Sequence, residues 1–102
     1  MRIPKFQVLE KDVEAYLRTE VLKLSGKAYK FTSPANRSVP DRIVMLPGGR
    51  IYFVEVKTTK GKLTPGQERE LDLISKFGFK TFVAYGKEGV DHFIKAVRDG
   101  RI

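Results

Sequence analysis

The sequence predicts a single α/β domain spanning residues 1–102, with a mixed four-stranded sheet flanked by helices in the order αβββαβα. Three observations carry that prediction. Residues 8–25 and the run that begins at Thr64 repeat apolar side chains at helical spacing. Two apolar runs, residues 43–46 and 51–56, flank Pro47, Gly48 and Gly49, the pattern of a β-hairpin with a short glycine-containing loop. Two further alternating stretches, residues 28–32 and 80–85, complete four strands with helices packed on the sheet.

Composition narrows the chemistry. A chain of 102 residues is long enough to bury a core, and 41% hydrophobic with 31% charged residues excludes a disordered or membrane-embedded protein. No stretch approaches the ~18 apolar residues of a membrane span, and the N-terminus lacks the apolar segment of a signal peptide. A cytoplasmic location is therefore expected. The absence of cysteine removes disulfides, thiolate catalysis and Cys-ligated zinc, and the single histidine, His92, removes most histidine-based metal sites. Carboxylates, lysine and an oxygen-ligated metal remain.

The first helix carries Val13, Leu17, Val21 and Leu24 on one stripe, which Glu10 and Glu14 extend. Glu10 suits a first turn, where the helix dipole favours an acid; Glu14 lies a turn deeper, toward the core side. Gly26 is expected as the C′ residue, with Lys23 in the last turn. Residues 28–32 alternate as a short strand, and residues 33–40 form a polar, proline-bounded loop that delivers Arg37 and Ser38 immediately before Asp41. Pro40 keeps Val39 extended, so the chain enters the second strand in a defined direction.

With Pro47, Gly48 and Gly49 as the loop, Leu46 pairs with Arg50. Carried along the ladder, this register sets Asp41 opposite Glu55 with Cβ atoms roughly 5 Å apart. Lys57, two residues beyond Glu55, shares its face. Like charges facing each other destabilise a sheet unless a cation lies between them. Mg²⁺ prefers such hard oxygen ligands, and the Val56 carbonyl can add a third oxygen. A divalent ion there would acidify water and offset charge on a scissile phosphate, while Lys57 either orients or deprotonates the attacking water or stabilises the developing charge.

Beyond the hairpin, residues 58–63 form a basic loop, and Thr64, Pro65 and Gln67 mark a helix start with a T-x-x-Q capping box. Gln67 shares a face with Leu71 and Ile74, so its side chain can also reach the hairpin. The helix is expected to close at Gly78, and Gly86 with Gly89 to bracket a turn into a last helix bearing Val90, Phe93, Ile94 and Val97. His92 is expected at the surface or its boundary, with no role in the site.

Net charge is +8, and between Gly26 and Lys62 eight basic residues accompany only two acids, Asp41 and Glu55. Such a field attracts polyanions. Lys27, Lys30, Arg37, Ser38, Lys60 and Lys62 are the candidate nucleic-acid contacts. Charge alone also fits a solvated basic surface, so a non-catalytic basic nucleic-acid-binding module is the alternative. An RNA-associated protein is a weaker reading, because no aromatic stacking platform is evident.

The stretch KFTSPANRSVPDRIVMLPGGRIYFVEVKTTKGKLTPGQ, preceded by a helix glutamate, resembles the VRR-Nuc domain of the PD-(D/E)xK nuclease superfamily over nearly the whole chain. The resemblance implies a restriction-endonuclease-like fold and an Mg²⁺- or Mn²⁺-dependent endodeoxyribonuclease. Its motifs fall on Glu10 or Glu14, on Asp41, on Glu55 with Lys57, and on Gln67; Ser38 stands where the family usually has glycine. The resemblance further implies a Holliday-junction-resolvase-like enzyme acting on four-way junctions as a homodimer. Two incisions related by symmetry require two sites about a two-fold axis. Phe6, Val8, Phe77 and Phe79 are the apolar candidates for that interface.

Overall fold

The computed structural model describes residues 8–102 and has the elements α1 (Glu10–Lys23), β1 (Lys27–Lys30), β2 (Arg42–Leu46), β3 (Arg50–Lys57), α2 (Pro65–Lys76), β4 (Lys80–Tyr85) and α3 (Gly86–Arg98). This is the predicted order. The strands lie in the order β1-β2-β3-β4, antiparallel through β3, with β4 parallel to β3. A parallel partner requires a crossover, and α2 supplies it. The hairpin register is the one the loop length predicts: Leu46 pairs with Arg50, and the ladder runs to Arg42 opposite Val54.

Strand alternation assigns the faces. Tyr52, Val54 and Val56 are buried in one core with Val13, Leu17 and Val21 of α1 and Val90, Phe93 and Val97 of α3. Tyr52 packs edge-on against Phe93, with ring centroids 5.4 Å apart. Phe53, Glu55 and Lys57 therefore point to the opposite face. There α2 covers β4, burying Leu71 and Ile74. Ile43 and Phe53 of that face are half-buried, while Tyr29, Met45 and Ile51 are exposed. Among the described residues no helix is long and apolar enough to cross a membrane.

Three local expectations are corrected. Helix α1 ends with Leu24 as C-cap; Ser25 takes the left-handed C′ position at φ 62°, and Gly26 is the next residue, its N–H donating to the Val21 carbonyl. Glycine is needed at 26 for a different reason, close approach: a Cβ would lie 2.3 Å from Leu46 Cδ2 and 2.6 Å from the Met45 carbonyl oxygen. Gly26→Ala is expected to destabilise the protein by about 1–3 kcal/mol, read as a lower urea midpoint at unchanged slope.

The second correction is at the last helix. No turn separates β4 from α3: Gly86, at φ 67°, is itself the first helical residue, and Gly89 lies inside the helix against the backbone of Ala84. A single left-handed residue changes the chain direction within one peptide, which a glycine pair in the sequence does not distinguish from a longer turn. Third, the first strand covers Lys27–Lys30 rather than 28–32; past it only the Phe31 N–H reaches across, to the Asp41 carbonyl.

Candidate active site

Asp41 stands one residue before β2, after the buried Pro40. Its Oδ2 accepts a hydrogen bond from the Val56 N–H at 2.8 Å. The side chain thus continues the β2–β3 ladder beyond its last backbone pair and is held facing β3.

Glu55 is 1% exposed. Its Oε2 accepts from Gln67 Nε2 at 3.3 Å and lies 3.6 Å from Lys57 Nζ. Its Oε1 has no hydrogen-bond partner among the described residues, and a buried acceptor left so costs about 1–3 kcal/mol. The first turn of α1 adds Glu10. One carboxylate oxygen each from Glu10, Asp41 and Glu55 lie within 4.8 Å of one another.

Acids this crowded resist ionising together. Burial foremost, then the charge of Asp41, pushes the Glu55 carboxyl up to about 8, against the opposing pull of Lys57. Loss of hydration first, and Asp41 second, raises Glu10 as well. Three hard oxygen donors converging beside an orphaned lone pair suit a divalent cation, which prefers carboxylate ligands. The residues present fit such an ion.

Glu14 is not in this group. Its Oε1 accepts from Arg42 Nε at 3.1 Å, and Arg42, 9% exposed, also donates from Nη1 to the Ala28 carbonyl at 3.3 Å. Glu14 sits about 6 Å further along the helix axis than Glu10, where a buried guanidinium takes its charge. Arg42 went unread as a structural residue in the sequence; its signal was the alternation that groups it with Val44 on the core side.

Gln67 serves both purposes open to it. Its Oε1 accepts from the Thr64 N–H at 2.9 Å, its own N–H donates to Thr64 Oγ1 at 3.1 Å, and its Nε2 reaches Glu55. One amide closes the capping box and touches the carboxylates. Gln67→Glu keeps the cap acceptor but sets a fourth acid against Glu55, whereas Gln67→Ala loses both contacts. Melting of the metal-free protein at pH 8 is expected to show Gln67→Ala lowered by about 1 kcal/mol and Gln67→Glu no better than Gln67→Ala.

The basic candidates are spread around this centre. Lys30 and Arg37 line a groove of about 330 Å³ that opens beside Asp41. Lys60 and Lys62 are exposed on the loop after β3. Lys27 lies on the edge strand over the ring of Tyr29, 4.7 Å from its centroid. Ser38 packs against the start of α2, where a Cβ on Gly66 would come within 2.5 Å of its Oγ; the bare Gly66 makes room for the serine. The Val56 N–H is committed to Asp41.

A mixed sheet carrying two acids and a lysine on its central hairpin, with a helix acid and a helix-start amide closing on them, defines a restriction-endonuclease-like nuclease fold. The family follows from comparison with known proteins. The VRR-NUC domain model matches residues 10–88, and the chain belongs to that nuclease family. It is 46% identical over 76 residues to "Putative nuclease p44" of Acyrthosiphon pisum secondary endosymbiont phage 1, spanning 74% of this chain and 82% of that protein. A solved structure described as a VRR_NUC domain matches with a TM-score of 0.80 at 34% identity, over 84% of this chain and 94% of the other. Archaeoglobus fulgidus Hjc, described as a Holliday junction resolvase from an archaeal hyperthermophile, matches with a TM-score of 0.56 at 24% identity, over 74% of this chain and 67% of that one. That last likeness is one of fold alone. Membership of a nuclease family implies DNA as the bound polymer and a divalent metal, for which the clustered carboxylates are candidate ligands.

Proposed function

We propose that this chain is an Mg²⁺- or Mn²⁺-dependent, structure-selective DNA endonuclease that hydrolyses phosphodiester bonds in branched DNA, four-way junctions foremost, as a homodimer. The observation that carries the reading is the meeting of Glu10, Asp41 and Glu55 oxygens within 4.8 Å, with Lys57 and Gln67 on the same group. Asp41 and Glu55 would hold the ion, joined by the Val56 carbonyl and by Glu10. When bound, a divalent cation acidifies water and offsets charge that develops on the scissile phosphate.

The chain's own residues do the positioning. The Val56 N–H aims Asp41, Gln67 holds Glu55 from the far side, and the Lys57 ammonium is kept in place by its ion pair with Glu55. From there Lys57 acts on the attacking water or on the phosphate oxygens. Lys27, Lys60 and Lys62 add to the field that draws in the DNA backbone.

The homodimer reading rests on the apolar face that also carries Asp41 and Glu55. Tyr29, Met45, Ile51, Phe77 and Phe79 are exposed there or at its margin, and the ring of Phe79 makes an edge contact with Phe53, centroids 5.5 Å apart. A protein of net charge +8 meets its own copy most cheaply through apolar rather than basic surface, and isologous pairing requires a self-complementary patch. Val8 is exposed at the start of α1, and Phe6 lies outside the described residues. The relationship to a phage protein fits action on DNA in the cytoplasm of a bacterial host.

A labelled four-way junction, incubated with the protein and Mg²⁺ or Mn²⁺, tests the reading. Paired symmetric cuts that require the metal are expected, and Lys57→Ala should lower cleavage by about 10²–10³-fold while leaving binding in chelator intact. Salt-dependent binding without metal-dependent cleavage of any DNA would leave the non-catalytic module instead.

A further inference from the structure

The groove beside Asp41 runs between α1 and the loop joining β1 to β2, and its walls include Lys30, Phe31, Arg37, Val39, Glu14 and Asp41. Its walls carry two acids and two bases, and both acids have partners outside the groove, Asp41 accepting from the Val56 N–H at 2.8 Å. Glu14 is neutralised by Arg42 at 3.1 Å, which leaves Lys30 and Arg37 without a carboxylate partner among the described residues. The loop that presents Arg37 is braced: the Asn36 N–H donates to the Ser33 carbonyl at 3.1 Å, and Asn36 Oδ1 accepts from the Ser38 N–H at 3.0 Å. Phe31 is held edge-on against Phe53, with centroids 5.8 Å apart. The groove therefore joins two cations to an apolar wall beside Asp41, one of the clustered carboxylates.

We propose that this groove is a nucleotide subsite, taking the nucleotide that adjoins the scissile phosphate, with its phosphate between Lys30 and Arg37 and its base against Phe31 and Val39. The inference rests on the nuclease reading and adds to it the form of DNA selected. At about 330 Å³ the groove lies at the small end of small-ligand sites, roughly 300–1,000 Å³, so it takes one nucleotide and not a base pair. A base that enters must leave the stack, and this is least costly where pairing is already interrupted, as at a branch point, flap or gap. Selectivity for DNA structure then originates partly within each protomer, at the carboxylates themselves.

The test uses the wild-type protein in chelator, so that nothing is cut. Titrating a 5′-phosphorylated thymidine dinucleotide should shift the backbone amide resonances of residues 30–41, and the Lys30→Ala, Arg37→Ala double variant should lose those shifts. Shifts confined to Lys60 and Lys62, or unaltered in the double variant, overturn the subsite. With branched DNA the double variant should reduce the slope of log affinity against log salt by about 1, because both cations share one phosphate. In Mg²⁺ its KM should rise on the order of tenfold with a much smaller change in kcat, and the wild type should cut a duplex with one unpaired nucleotide beside the cleavage position faster than the intact duplex. Equal rates on the two substrates overturn the selectivity claim. Metal-dependent cutting with the footprint elsewhere removes the subsite alone, whereas a footprint in the groove with no cutting of any DNA removes the nuclease reading and leaves a nucleotide-binding groove.

Discussion

Glu55→Gln is expected to abolish metal-dependent cleavage and, in the same protein, to raise the melting temperature of the metal-free form at pH 8. The two effects share one cause. Glu55 is buried opposite Asp41 and near Glu10, and its carboxyl is pushed up to about 8, by burial first and by Asp41 second. In the unfolded chain the same group titrates in the ordinary carboxylate range, near 4.5. An acid whose folded pKa is raised contributes stability that is fully present below the unfolded value and is lost as pH rises through the folded one.

The metal-free wild type should therefore lose stability between about pH 4.5 and pH 8, on the order of a few kcal/mol, or about 10–20 °C in melting temperature for a domain of this size. Glutamine imitates the protonated acid: it removes the charge and keeps an oxygen for Gln67 Nε2. The variant should show a flatter pH profile, no stabilisation by Mg²⁺, and cleavage reduced by about 10³-fold or more. In the wild type, added Mg²⁺ should recover most stability above pH 8, since the cation replaces the proton. A wild-type melting temperature that climbs from pH 5 to pH 8.5 without metal would contradict this account, as would a Glu55→Gln variant less stable than the wild type at pH 8.

Arg42→Ala is expected to carry the largest loss of stability. The Arg42 side chain is 10% exposed and its partner Glu14 is 22% exposed; removing the guanidinium leaves a largely buried carboxylate and the Ala28 carbonyl without their donors. Breaking such a pair from one side costs about 2–4 kcal/mol, somewhat below a fully buried case, or about 10–20 °C. Arg42→Lys should restore little, because an ammonium cannot serve two acceptors in the directions that Nε and Nη1 reach. The consequence extends to the site. The Arg42–Glu14 contact ties α1 to β2 one turn from Glu10, so loosening it frees Glu10 from Asp41 and should weaken Mg²⁺ binding measured by calorimetry. A double variant, Glu14→Ala with Arg42→Ala, should be more stable than Arg42→Ala alone, because no buried charge is then left unpaired. Additive losses in that cycle would show the pair to be incidental.

The hairpin was legible because its determinants are local. A loop of Pro47, Gly48 and Gly49 sets Leu46 against Arg50, and a period of two then places Asp41 toward Glu55 and Lys57 beside it without knowledge of any other element. The start of α2 was equally readable, since Thr64, Pro65 and Gln67 are adjacent residues with a common cap geometry. Glycine was read less well. At 26, 86 and 89 the sequence marks a special position, but close approach to Leu46, to Thr59 or to the Ala84 backbone is a property of segments far along the chain.

The division between Glu10 and Glu14 shows where sequence ceases to decide. Both lie on one helical stripe, and nothing within α1 separates them; the choice is made by Arg42, twenty-eight residues beyond Glu14, whose guanidinium takes Glu14 and leaves Glu10 for Asp41 and Glu55. By itself the sequence determined the element order, the hairpin register and the carboxylate–lysine face, because periodicity and turn chemistry act between near neighbours. Only the tertiary structure decided which helix acid joins that face, that one amide both caps α2 and holds Glu55, and that a groove with two cations opens at Asp41. Each of these depends on side chains distant in sequence meeting across packed elements, where burial makes an unpaired charge costly enough to select a single arrangement.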